Sequence, residues 1–146
     1  MDRMRVAKYE VMLAFYVLHM MMQGHIMTTT HLPFEPTVTV FMLVKTSPEW
    51  LGFPVDRRFA LLAEHFTPIL KKHAAGVSLR FFDVEFYSTR VTDIWMWDAA
   101  DHHSYQLLVE DLRETAFWDR YFDIVEILTG VENAYAKNYD RPVITA

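Results

Sequence analysis

The stretch FFDVEFYSTRVTDIWMW, Phe81 to Trp97, holds two period-two runs joined by Ser88, Thr89 and Arg90. Three residues are too few for a crossover connection, so the two runs must form an antiparallel hairpin. Pairing Tyr87 with Val91 sets Glu85 opposite Asp93, Asp83 opposite Trp95 and Phe81 opposite Trp97. Leu79, Phe81, Asp83, Glu85, Tyr87, Asp93, Trp95 and Trp97 then share one mixed face. Phe82, Val84, Phe86, Ile94 and Met96 share an apolar one. A one-residue slip would mix the two sets, so the apolar pattern itself selects this parity.

The segments around the hairpin extend it into a sheet. TVTVFMLVK, Thr37 to Lys45, is β-branched and apolar on both faces and reads as a buried strand. TSPEWLGFPV follows as a loop broken by Pro48, Gly52 and Pro54. Asp56 is placed to cap a helix running to Gly76, with Phe59, Leu62, Phe66, Leu70 and His73 on one stripe. Pro68 should kink that helix by removing an amide donor, and Gly76 suits its C′ position. A second helical stripe, Tyr105, Leu108, Val109 and Leu112, begins at Asp101. AFWDRYF reads as a short turn or helical piece, and DIVEIL, Asp123 to Leu128, as the last strand. The tail NAYAKNYDRPVITA is expected to add a partial strand or wrap a partner.

The resulting order, strand, helix, strand, strand, helix, strand, predicts an α+β, ferredoxin-like βαββαβ domain over 37–146. Its four-stranded antiparallel sheet would carry two helices on one face. The opposite face, expected to be rich in Phe, Trp and Val, cannot stay in water, so a partner must cover it. Two copies closing sheet to sheet give a dimeric α/β barrel, with the mixed hairpin face turned to partner and solvent.

Residues 1–36 differ from this pattern. VMLAFYVLHMMM, Val11 to Met22, is apolar throughout, yet shorter than the about 20 residues that a bilayer span needs. Glu10 interrupts the basic start, and no A-x-A-like cleavage site follows. Seven of the nine methionines fall within the first 27 residues. Three readings result: an upstream extension before a start near Met27, a packing or interface helix, or a secretion or membrane signal.

Composition removes whole classes of function. With no cysteine, thiolate nucleophiles, disulfides and cysteine metal sites are excluded, which fits a cytoplasmic protein. A net charge of -5 and no basic cluster longer than Arg57–Arg58 or Lys71–Lys72 argue against nucleic acid. No Walker A, dinucleotide fingerprint, G-x-S-x-G or H-E-x-x-H occurs. Neither a metal nor a cofactor is therefore expected.

FMLVKTSPEWLGFPVDRRFALLAEHFTPILKKH, RFFDVEFYSTRVTDIWMWDA and FWDRYFDIVEILTG together resemble the darcynin family, over roughly Met27 to Pro142. That family is named but has no established activity. The layout is also similar to dimeric α/β-barrel proteins, which include cofactor-free monooxygenases, haem-degrading enzymes and simple binding modules. Fold alone does not choose among these.

The candidate chemistry is acidic and aromatic. Glu85 facing Asp93, with Asp83 near, would raise one carboxyl pKa and leave an acid and a base near neutrality. Against this, Arg80, Arg90 or Lys45 could simply neutralise the group. His65 would be the general base in a cavity between helix and sheet, a placement the barrel resemblance implies; a surface or satisfied core histidine is the commoner explanation. His73 would complement its helix dipole. Trp50, Phe66, Tyr87, Asp93, Trp95 and Trp97 would line a ligand pocket, although Trp50 could equally plug the barrel end. Asp98, Asp101 and His102 match no metal-binding spacing, and Asp101 is explained as an N-cap. The expected function is homodimeric binding of a small apolar or aromatic molecule. The alternatives are a cofactor-independent monooxygenase or isomerase using His65, Asp83 and Glu85, and a non-catalytic assembly module.

Overall fold

The computed structural model describes residues 31–144. The apolar run Val11–Met22 and its three readings lie outside the described residues. Four strands form one sheet: β1 (Val38–Thr46), β2 (Val77–Asp83), β3 (Asp93–Ala99) and β4 (Phe122–Gly130). Their spatial order is β2-β3-β1-β4, and every neighbouring pair is antiparallel. Each of the two helical crossovers skips a strand, which is the ferredoxin-like arrangement read from the sequence.

The segment after β1, expected as loop throughout, contains a one-turn helix, α1 (Pro48–Gly52). Ser47 caps it, accepting from Trp50 N at 3.2 Å, and Pro48 occupies the first turn, where no amide is needed. The first long helix comes in three pieces: α2 (Val55–Leu61), a π-helical segment (Leu62–Phe66) and α3 (Thr67–His73). Pro54, rather than Asp56, is the N-cap residue, and Asp56 instead lies in the first turn. Pro68 lies in the first turn after the π segment, one residue beyond Thr67. Its missing amide is accommodated where the helix already departs from i→i+4 bonding.

The wider π turn also slides the helical stripe. Leu61 and Phe66 are buried, whereas Phe59, expected inside, is 68% exposed. Gly76 was expected at a left-handed C′ position, but the described residues contain no positive-φ glycine. A Cβ there would lie 3.0 Å from Ser104 Oγ, so it is the close approach of α4 that favours glycine. That helix, α4 (His102–Arg113), begins as read: the Asp101 carboxylate accepts from Ser104 N at 2.7 Å. Leu108 and Leu112 are buried, with Tyr105 and Val109 packed against the core. The tail forms a short helix, α5 (Ala134–Asn138), in place of the expected strand.

The helices cover one sheet face. Val40 and Met42 of β1 and Trp95 and Trp97 of β3 pack there against Phe66, Leu108, Leu112, Phe117 and Phe122. Ring centroids 5.0 to 5.6 Å apart link Trp50, Phe66, Trp95, Phe117 and Phe122 into one aromatic core. Contact at these spacings adds to the large apolar area that each ring buries.

Candidate functional site

The hairpin keeps its predicted parity but not its predicted register. β2 and β3 pair Phe81 with Trp95 and Asp83 with Asp93, so the register is offset by two residues from the expected one. The cause lies at residues 84–92. Val84 N and Glu85 N both donate to Thr92 O, and Tyr87 N and Ser88 N both donate to Val84 O. These bonds curl the chain into turns before the strands can extend further. Asp93 therefore faces Asp83 rather than Glu85.

A second correction concerns the direction of the faces. The mixed set looks into the helix-covered core, since Asp93, Trp95 and Trp97 are all buried there. The apolar set, with Phe82, Ile94 and Met96, faces away from the helices. Trp is thus absent from the open face, where it had been expected.

The structure separates the expected site residues into three groups. Asp83, Glu85 and Asp93 do meet at one end of the hairpin. Burial pushes Asp93 up to about 6, the Thr92 hydroxyl opposes this by donating to it at 2.5 Å, and the charges of Asp83 and Glu85 add to the rise. Trp50, Phe66, Trp95 and Trp97 are core, and Trp50 plugs one end against Phe117, Tyr121 and Phe122. His65 and Tyr87 form the third group: both are exposed, and His65 lies 3.6 Å from Glu64. Among the described residues no hydrogen bond or ion pair joins His65 to the three carboxylates.

The cations expected to neutralise that cluster are used elsewhere. Arg90 meets Glu126 at 2.8 Å, Lys45 donates to Thr89 O at 3.1 Å, and Arg80 meets Asp98 at 3.1 Å. His73, expected to act on its helix dipole, bridges instead to Asp111 of α4 at 2.6 Å. Lys72 and His73 hold the Asp111 carboxyl below its ordinary value.

A cleft that the sequence pattern did not single out lies on the open face. Three cross-strand rows build that face, running from β4 through β1 and β3 to β2. The first is Glu126–Leu43–Ile94–Phe82, the second Leu128–Phe41–Met96–Arg80 and the third Gly130–Thr39–Asp98–Ser78. Polarity thus rises along the face from one end to the other. A cleft of about 250 Å³ sits over the second and third rows, walled by Val131 and Glu132. A neighbouring cleft of about 360 Å³ shares Thr39, Arg80 and Asp98 and reaches Glu35 and Lys137.

Asp98 is only 8% exposed. Thr39 Oγ1 donates to its Oδ1 at 2.7 Å, and Arg80 Nη2 donates to its Oδ2 at 3.1 Å. The signal for this cluster was available in the sequence: extending the hairpin alternation outward places Arg80 and Asp98 on the apolar set's side. An ion pair on such a face is the informative exception to its pattern.

These features fit a known fold class. A mutant chlorite dismutase from Candidatus Nitrospira defluvii superposes with a TM-score of 0.57 at 17% identity, covering 68% of this chain and 42% of its own. A structure titled as a novel heme-binding protein from Thermus thermophilus gives 0.59 at 14% identity, covering 66% and 40%. The chain thus spans about two fifths of the length of those structures, and the likeness establishes the ferredoxin-like α+β fold.

The sequence goes further. Residues 22–146 match the profile described as "Darcynin, domain of unknown function". A darcynin homolog from Granulibacter bethesdensis is 82% identical over 119 residues, covering 82% of this chain and 96% of its own. The chain belongs to the darcynin family.

Proposed function

We propose that this chain acts as a homodimer that binds a small apolar or aromatic molecule on the open face of its sheet. The observation carrying this reading is the open face itself. Phe41, Phe82 and Leu128 stand exposed on it, and a cleft holding the buried Asp98 paired with an exposed Arg80 adjoins them. A contiguous apolar surface of this kind marks an interaction site. A second copy applied sheet to sheet would cover the apolar rows and roof the cleft, whose neighbour of about 360 Å³ reaches the size of a small-ligand site. Sedimentation velocity at micromolar concentration tests the assembly: a dimer is expected, and a monomer lacking affinity for apolar probes would sink the proposal.

Haem is not the proposed ligand. Its iron is held by His, Cys, Tyr or a Met–His pair, and of these donors the two clefts offer Met96 alone. A cytoplasmic location belongs with this reading. No described helix is long and apolar enough to cross a membrane.

One observation favours a second, catalytic reading. Asp93, pushed up to about 6 beside Asp83 and Glu85, is poised to exchange a proton near neutral pH. A cofactor-independent monooxygenase or isomerase could use these carboxylates, with His65, exposed and joined to them by no described bond, meeting them only through the substrate. Oxygen uptake on an anthrone-like substrate, abolished in Glu85→Gln and His65→Ala, would support it. Unchanged rates in both variants would remove these residues from any mechanism.

A further inference from the structure

The hydrogen-bonding groups on the cleft floor are unequally used. Asp98 has both oxygens engaged, one by Thr39 and one by Arg80. Arg80 carries five N–H donors in a planar fork, and its recorded bond is the single one from Nη2 to Asp98. Its side chain is 57% exposed while Asp98 is buried, so the buried carboxylate pins one corner of a guanidinium whose other edge remains open. Asp98 and Thr39 keep acceptor sites, but the exposed spare capacity on the floor is the donor fork of Arg80. Beside it, Phe41 and Met96 offer an apolar surface one residue pair across the sheet.

We propose that the cleft takes a carboxylate carried on an aromatic or aliphatic body, with Arg80 as the anchor of the carboxylate. The proposal rests on the reading of the open face as a ligand surface and names the chemical class of that ligand. The carboxylate receives two parallel N–H bonds from the free edge of Arg80, the geometry that guanidinium and carboxylate planes share. The apolar body lies over Phe41 and Met96 towards the first row. A cationic head would have to compete with Arg80 for an Asp98 already engaged on both oxygens. Glu35 and Glu132 on the walls are exposed and act through water and salt, with Lys137 on the same rim.

Three probes that share one ring system separate the possibilities on the full-length chain: 2-naphthoate, 2-naphthylmethanol and 2-naphthylmethylamine. Calorimetric titration is expected to rank naphthoate first, ahead of the alcohol by roughly tenfold to a hundredfold, as a charge-assisted hydrogen bond implies. Arg80→Gln should bring naphthoate down to the affinity of the alcohol and leave the alcohol unchanged. Arg80→Lys, which keeps the charge but loses the fork, should fall between. Equal binding of naphthoate and alcohol to the unmodified chain would overturn the anchor while leaving an apolar site intact. Preference for the amine would overturn it in favour of the wall carboxylates. Binding of none of the three would overturn both the anchor and the ligand surface beneath it. Because the probe series is read on the unmodified chain, the outcome does not depend on how the Arg80 variants fold.

Discussion

The two faces of the sheet are made by the same strands, yet they solve opposite problems. Towards the helices, Trp95, Trp97, Val40 and Met42 are sealed under Phe66, Leu108, Leu112 and Phe117. Away from them, Phe41, Met96, Leu128 and Phe82 are covered by no helix among the described residues, and an ion pair interrupts their row. The covered face is filled with rings and leaves its polar groups poorly satisfied. The Trp95 and Trp97 indole nitrogens are buried without hydrogen-bond partners in the described structure, and Asp93 is buried beside two further carboxylates, Asp83 and Glu85. On the open face Asp98, the one buried charge among the described residues, has a hydrogen bond on each oxygen. Stability is therefore concentrated on one side, and recognition is expected on the other.

The largest test of that division is truncation on each side. Trp95→Ala should cost about 3–5 kcal/mol of unfolding free energy, because it opens a cavity in the aromatic core. Phe82→Ala, with its ring 45% exposed in the single chain, should cost well under half of that in urea titrations at concentrations where the protein is monomeric. Equal costs would mean that the faces are not specialised.

Asp93 tests the covered face by its charge. Its folded pKa, about 6, lies above its ordinary 3.8, so between those values the folded chain holds more proton than the unfolded one. The group's contribution to stability should accordingly fall as pH rises through this window and stay low above it. Asp93→Asn removes the burden while keeping an acceptor for Thr92. It should stabilise the protein by up to ~3 kcal/mol at pH 8, from 1.36 kcal/mol per pK unit, and by almost nothing near pH 3.5. Melting temperatures of the two proteins across pH would show the curves converging in acid. A constant gap would assign the effect to packing.

Much of this contrast was legible in the sequence, and the rest was hidden for identifiable reasons. Parity survived because a period-two pattern fixes it, so the sets of Trp95 and of Met96 were separated correctly. Register was lost because the turns of residues 84–92 depend on Thr92 O receiving two amides, and no residue type announces that. Which face the helices choose is a tertiary matter: Trp beside Asp looked like a wet face, while Ile94 and Met96 looked like a core. The π segment escaped for a similar reason, since periodicity assumes 3.6 residues per turn throughout and so placed Phe59 inside. For the site, the sequence singled out the carboxylates that do converge. It passed over Arg80 and Asp98, each of which had been considered for a different partner.

A charge on the open face sharpens the same comparison at lower cost to the fold. Phe41 stands in the middle row, between Leu128 and Met96. Phe41→Lys should weaken a sheet-to-sheet dimer at least about tenfold, or ~1.4 kcal/mol, with little change in the unfolding of the monomer. Sedimentation equilibrium across a dilution series measures this directly. An unaltered association constant would move the interface elsewhere, with the exposed stripe of Leu51, Val55 and Phe59 as the next surface to test.

The smallest expected effect separates structure from recognition inside the cleft. Thr39→Val deletes the hydroxyl that donates to Asp98 Oδ1 and keeps the shape of the side chain. A hydrogen bond to a charged group is worth about 1.5–3 kcal/mol, less where water can replace the lost partner as at this half-open cleft, so urea unfolding should shift by about 1 kcal/mol. If the bond only satisfies Asp98, affinity for naphthoate is untouched and the variant is merely less stable. If it also fixes the Asp98–Arg80 pair, Arg80 loses its alignment, and naphthoate affinity falls while that of the alcohol does not. The second outcome is expected, because two side chains hold Asp98 among the described residues, and losing one frees it to swing with Arg80. A fall in affinity for both probes would instead report general damage to the cleft. The pair would then be a structural device of the open face, and the asymmetry between the two faces would be one of packing alone.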